Sequence, residues 1–277
     1  MRRPESLLGV IAAFMVVCGG CGSAAVATPI GPADTGPAAT APAPAGTPAT
    51  LPAGPLDIAT IGDSLTEGQG DDASQGYQGR LQALLDAKRT GTTFLNVGHS
   101  GWTSADVIDG KDGEPAELAR VLGASPAANV AFVWIGSNDL WYLYEYGPEP
   151  MTADAEQQDL TAYETNMDRI VHDLAGRDIV VYVALLDDQS KRPVVATPAD
   201  PPAFPGTTRA DLALMSAHVK AYNEIIRRVA AKYHATTVDF YDTTIFTDPA
   251  TIYSDGNHPN SAGYERIAQI WLKALGY

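Results

Sequence analysis

The chain has 277 residues, and 33 acidic against 18 basic side chains leave it a formal net charge of −15. That balance argues against nucleic acid as a partner and against electrostatic attachment to anionic lipid, and it says little about substrate. Its two cysteines, Cys18 and Cys21, both lie close to the amino terminus, so the residues beyond them form no internal disulfide and offer no thiolate chemistry.

Arg2 and Arg3, the apolar run 7–17 and the small residues Cys18, Gly19 and Gly20 read as an export signal over residues 1–20. The apolar run is too short for a stable membrane span. The stretch Val17-Cys18-Gly19-Gly20-Cys21-Gly22-Ser23 resembles a bacterial lipoprotein cleavage site. The resemblance implies lipidation of Cys21, with the protein held in the cell envelope at the outer face of the membrane by its acyl chains. Ordinary cleavage and release as a secreted protein is the alternative. Residues 21–55 are almost all Ala, Pro, Thr and Gly, with a single charge at Asp34. Such a stretch buries too little to order itself and is expected to be a disordered tether.

A globular domain is expected over 56–277. Residues 56–61 read as a short apolar strand, 77–88 as a helix through Tyr77, Leu81, Leu84 and Leu85, and 93–97 as a second strand. Short helices are expected at 105–108 and 116–122. Residues 129–135 read as a strand, uninterruptedly apolar after Asn129, as in the centre of a parallel sheet. A long helix at 155–175 precedes a strand at 179–185. The 212–233 helix carries Leu214, Val219, Tyr222, Ile225, Ile226 and Val229 mostly on one side. A last strand, 237–240, is followed by a helix capped by Asn260 or Ser261 and striped with Tyr264, Ile267, Ala268, Trp271 and Leu275. Five strands interleaved with helices imply an α/β fold: a three-layer α/β/α sandwich around a five-stranded parallel, flavodoxin-like sheet. Ligands in such sheets bind at the carboxyl ends of the strands.

The first strand runs into Ile61-Gly62-Asp63-Ser64-Leu65-Thr66-Glu67-Gly68. A serine at a strand end, before a helix, stands where a nucleophile stands, although a turn-capping serine fits the same place. The pattern is not the G-x-S-x-G elbow, because Thr66 occupies the second glycine position. Three further blocks follow at other strand ends: Asn96-Val97-Gly98-His99-Ser100-Gly101-Trp102, then Gly136-Ser137-Asn138-Asp139, then Asp255-Gly256-Asn257-His258-Pro259.

Four such blocks in this order resemble the SGNH/GDSL hydrolase family, over the whole expected domain. The resemblance implies a serine esterase without metal or cofactor. It implies Ser64 as nucleophile and as one oxyanion donor, Gly98 and Asn138 as the other donors, His258 as base and Asp255 as its orienting acid. Chemistry agrees, since acyl transfer needs a serine facing a neutral imidazole whose tautomer a carboxylate fixes. The expected activity is hydrolysis of short-chain acyl or lipid esters through an acyl-Ser64 intermediate. An acyltransferase or deacetylase working on cell-envelope polysaccharide is the alternative, and a non-catalytic envelope binding protein the remote one.

His99, Trp102, Trp141 and Tyr142 are the expected substrate contacts, with Tyr144 and Tyr146 extending an aromatic wall. Asp139 is expected to brace its loop. Asp71, Asp72, Asp187 and Asp188 read as solvated loop charges, because no calcium-loop spacing follows them. His172, His218 and His234 read as residues of solvated helix faces. The proline-rich stretch 187–208 leaves the sheet at the site edge and is read as a flap over the acyl pocket. Protein partners and oligomeric state are not legible.

Overall fold

The computed structural model describes residues 50–277. The expected export signal, Cys21 and nearly all of the expected tether lie outside the described residues. The few residues ahead of 56 are tied down: Leu51 packs on the core, and Arg89 donates to the carbonyls of Pro52 (2.6 Å) and Gly54 (2.9 Å).

Five strands form one parallel sheet: Asp57–Gly62 (β1), Thr93–Asn96 (β2), Val130–Trp134 (β3), Val180–Leu185 (β4) and Thr236–Asp239 (β5). Their order is β2-β1-β3-β4-β5. The apolar runs of β1, β3 and β4 sit at the centre and are buried almost throughout, whereas the edge strands β2 and β5 are short and partly exposed. Every strand expected from the sequence is present, with ends displaced by one residue at most.

Helices occupy both faces. Gly76–Asp86 (α2) packs on Ser261–Ala274 (α9), while Ala153–Ala175 (α6) packs on Asp211–Lys232 (α8) and Ser104–Asp109 (α3). Phe132 and Trp134, two apart on β3, face the first layer. Trp271 of α9 stacks on Phe132 at 4.2 Å, and Phe240 stacks on Trp134 at 4.2 Å. In the second layer Tyr163 stacks on Tyr222 at 3.9 Å, and its hydroxyl donates to the Ile135 carbonyl.

The remaining helices are Ser64–Glu67 (α1), Glu117–Leu122 (α4), Ser137–Tyr146 (α5) and Pro193–Ala196 (α7). α5 is an addition to the expected elements, and it takes in Trp141, Tyr142, Tyr144 and Tyr146. Its Leu140, Trp141 and Tyr144 are buried. The α8 stripe holds as expected at Val219, Tyr222, Ile225, Ile226 and Val229, all buried, but Met215 and His218 extend it in place of Leu214, which is exposed. The chain leaves β1 for β2 on one side and returns to β3 on the other. Such an order opens a crevice at the carboxyl ends of β1 and β3, where the loops diverge.

Candidate active site

Ser64 opens α1 directly after β1. Asp63 caps this helix, its carboxylate accepting from the Leu65 amide at 3.0 Å, and is fully buried. Burial pushes its carboxyl up to about 6, partly offset by that amide hydrogen bond and by the Arg192 charge. The Ser64 N–H, first in its helix, has no intrahelical acceptor.

The Asp255-to-His258 turn reaches Ser64 from beyond β5. His258 Nε2 lies 3.0 Å from Ser64 Oγ, and His258 Nδ1 lies 2.7 Å from Asp255 Oδ2. With the imidazole neutral, Nδ1–H donates to the carboxylate, which leaves Nε2 free to accept from the serine hydroxyl. Asp255 Oδ1 also accepts the amides of Asn257 (2.8 Å) and His258 (3.0 Å). Burial would raise this carboxyl, but the His258 and backbone hydrogen bonds outweigh it and hold it down at about 2. Gly256 makes the fold-back possible: its φ of +69° is a left-handed conformation, and a Cβ there would stand 2.9 Å from the Val194 nitrogen.

The second block docks beneath the first. The His99 amide donates to the Gly62 carbonyl at 3.0 Å, and a Cβ on Gly98 would stand 2.7 Å from Thr66 Cγ2. Only glycine fits that approach. The Gly98 amide itself donates to Asn96 Oδ1 at 3.0 Å, so it is an engaged donor rather than an open one. Asn96 also donates to the Thr66 carbonyl, binding the two blocks together. Asn138, on the first turn of α5, donates to the Trp102 carbonyl at 2.8 Å, which leaves its amide a second hydrogen. Asp139 accepts from the Ser104 amide (2.9 Å) and hydroxyl (2.5 Å), bracing the second block against the third. Burial pushes Asp139 up to about 7.

Sequence reasoning missed Glu117, a fully buried carboxyl beneath the site. It accepts the Gly62 amide at 2.8 Å and lies 3.3 Å from His99 Nδ1. Burial raises it to about 9, in spite of the Gly62 hydrogen bond. The only signal was a glutamate on the apolar side of a short helix, beside Leu118 and Val121.

The expected aromatic wall is corrected in part. Trp141 is 2 % exposed, stacked on Phe204 at 4.5 Å, and is a packing residue. Tyr144 is likewise buried, donating to Glu156. Trp102 is buried and carries the His99 ring, 26 % exposed, stacked on it at 4.2 Å. Tyr142, half-buried, donates to the Gly101 carbonyl at 2.9 Å. Tyr146 points to solvent.

Three expected solvated charges are buried instead. Asp71 is clasped by Arg80 at 2.6 Å and by Ser261. Burial alone would raise its carboxyl, but these partners hold it far below the ordinary range. Asp187 and Asp188 are buried beside Arg192, Ser190 and Ser216. His218 is buried as well, 2.8 Å from Asp159. His172 is exposed as expected. The 187–208 segment does not hang free as a flap. It begins with a tight helical turn, Gln189–Lys191, continues into α7, and bonds through the Val194 amide to the Gly256 carbonyl.

Past the carboxyl end of α1 the residues Glu67, Gly68, Gln69, Asp71, Ser74 and Ser100 line a cleft of ≈ 540 Å³, which Ser64 itself does not line. Ser100 reaches across it, its amide donating to Glu67 at 2.9 Å and its hydroxyl lying within hydrogen-bond distance of both Glu67 and Gln69.

Residues 60–266 match the GDSL-like Lipase/Acylhydrolase family. A "Multidomain esterase" from Ruminococcus flavefaciens is 24 % identical over 255 residues, 81 % of this chain but 29 % of that protein. The "Uncharacterized protein YpmR" of Bacillus subtilis is 26 % identical over 226 residues, 79 % of this chain and 80 % of that protein. Among solved structures, LAE5, an alpha/beta hydrolase enzyme from the metagenome of Lake Arreo, shares the fold with a TM-score of 0.55 and 23 % identity, covering 80 % of this chain and 96 % of that one. Axe2, an acetylxylan esterase from Geobacillus stearothermophilus, does so with a TM-score of 0.56 and 19 % identity, covering 81 % and 96 %. With the match extending across nearly all of the sheet and its loops, the chain belongs to the GDSL-like lipase/acylhydrolase family of serine ester hydrolases.

Proposed function

We propose that this protein hydrolyses esters of short acyl groups through an acyl-Ser64 intermediate. The observation that carries the reading is the hydrogen-bonded line from Asp255 through His258 to Ser64, at 2.7 and 3.0 Å. His258 Nε2 takes the hydroxyl proton as Ser64 Oγ attacks the ester carbonyl carbon. Asp255 stabilises the imidazolium so formed. The Ser64 N–H and the second Asn138 amide hydrogen serve the oxyanion, with Gly98 sharing its N–H between the oxyanion and Asn96. Collapse expels the alcohol, which takes its proton from His258. Water, deprotonated by the same imidazole, then releases the acid and restores Ser64.

The cleft at the end of the helix that Ser64 opens supports a hydroxylated alcohol portion, since carboxylate, amide and hydroxyl groups line it. The same feature favours a second reading, removal of acetyl groups from a polysaccharide. From residues 1–23 we also propose export, lipidation at Cys21 and attachment to the envelope by residues 21–55. A Cys21→Ala protein that stays with the membrane fraction refutes the anchor.

A chain-length series of p-nitrophenyl esters, with acetylated oligosaccharides assayed in parallel, tests the substrate reading. Rates should fall from acetyl to octanoyl, and Ser64→Ala should turn over none of them. Preference for long chains, or turnover by Ser64→Ala, refutes it.

A further inference from the structure

Arg192 is almost wholly buried, and its guanidinium is divided between two partners. Nε and Nη2 grip the Asp187 carboxylate at 2.9 and 2.6 Å. Nη1 is left over from that pair. It donates to Asn257, to the side-chain oxygen at 2.9 Å and the backbone carbonyl at 3.3 Å. Asn257 lies between the acid and the base, and its own amide donates to Asp255 Oδ1. The guanidinium plane also rests on the Phe246 ring, 4.5 Å from its centroid. Two residues on, the Val194 amide bonds the Gly256 carbonyl, so one short segment grips the turn at two successive residues.

Burying an ion pair contributes little net stability compared with apolar packing, because desolvation offsets the attraction. A planar fork does have a geometric use here. It joins the end of β4 to a turn that belongs to no strand or helix. We propose that Arg192, anchored on Asp187, is a positioning residue that sets the Asp255–His258 turn against Ser64 through Asn257. The inference rests on the reading of Ser64, His258 and Asp255 as the reacting groups. It assigns a structural origin to their alignment and gives the 187–197 segment a task other than covering the site.

The test compares Asn257→Ala, Asn257→Asp, Arg192→Lys and the double variant Arg192→Lys/Asn257→Ala, with p-nitrophenyl acetate as substrate and Ser64→Ala as control. Lysine offers one point of charge and cannot grip Asp187 and Asn257 together. Asn257→Ala and Arg192→Lys should each lower kcat on the order of tenfold or more with KM nearly unchanged, as expected when bound substrate meets misaligned groups. Asn257→Asp, which keeps an acceptor for Nη1, should recover most of the rate. The double variant should be no slower than its worse parent. Wild-type turnover by Asn257→Ala, equal losses in Asn257→Ala and Asn257→Asp, or losses that multiply in the double variant would overturn the assignment. If Arg192→Lys fails to fold, the Asn257 pair decides alone. Turnover by Ser64→Ala would instead defeat the underlying triad reading, which keeps the two failures apart.

Discussion

Replacing Asp255 by asparagine probes the site at its weakest geometric tolerance. All three groups around this carboxylate are donors: the amides of Asn257 and His258 on Oδ1, and His258 Nδ1 on Oδ2. An asparagine supplies one acceptor oxygen for the three. If that oxygen keeps the two backbone amides, the new NH₂ faces Nδ1 and forces the proton onto Nε2. Nε2–H then points at the Ser64 hydroxyl over 3.0 Å, and the base is lost. In serine triads this change costs about 10⁴-fold in kcat. Asp255 is 35 % exposed at its side chain, so water reaches the pair and softens the loss. We expect about 10³-fold, or ~4 kcal/mol of transition-state stabilisation. The assay is kcat for p-nitrophenyl acetate, normalised by fluorophosphonate titration, with the melting temperature measured alongside. A loss smaller than about tenfold in a folded variant would refute the tautomer argument.

Other outcomes follow from the same contacts. Gly98→Ala should lower kcat about 100-fold and destabilise the fold by about 1–3 kcal/mol, because its Cβ would press on Thr66; thermal melts with full activity would contradict the close approach. Glu117, Asp139 and Asp63 are raised by burial to about 9, 7 and 6 from 4.5, 3.8 and 3.8. Each stays protonated in the folded state over a range where the unfolded chain has released its proton. Their contributions are therefore complete below about pH 4 and decline as pH rises toward 9. Glu117→Gln, neutral throughout, should flatten the decline of melting temperature between pH 5 and 9, and an unchanged slope would count against the buried carboxyl. Phe204→Ala uncovers Trp141 and should cost about 1–2 kcal/mol, less than a fully buried phenylalanine because Phe204 is only half-buried; its urea midpoint reports this, and KM for p-nitrophenyl acetate should hold.

What the sequence conveyed was whatever local pattern carries. The apolar runs of β1, β3 and β4 announce buried parallel strands, and four short blocks announce the loops at their ends. α5 escaped because its first turn is the Ser137-Asn138-Asp139 block and its body is aromatic, a composition with modest helix propensity that also suits a binding wall. The α8 stripe reads with Leu214 in it and without His218. His218 turns inward where Asp159 on α6 meets it and Tyr144 and Tyr222 pack against it, a tertiary fact. Asp187 reads as an exposed loop charge until Arg192 folds back five residues later and Asn257 arrives from the far end of the chain. The engagement of Gly98 by Asn96 was equally hidden, since the family pattern names the glycine and says nothing of the side chain two residues before it.

The central claim is that an acyl group rests on Ser64 during turnover. Mixing enzyme with p-nitrophenyl acetate, quenching in acid within the first turnover and mapping the peptides by mass spectrometry tests it directly. A burst of p-nitrophenol should be matched by one acetyl adduct on the peptide containing Ser64, with neither burst nor adduct in Ser64→Ala. Steady turnover by Ser64→Ala, or an adduct that accumulates on another residue at the burst rate, would contradict it.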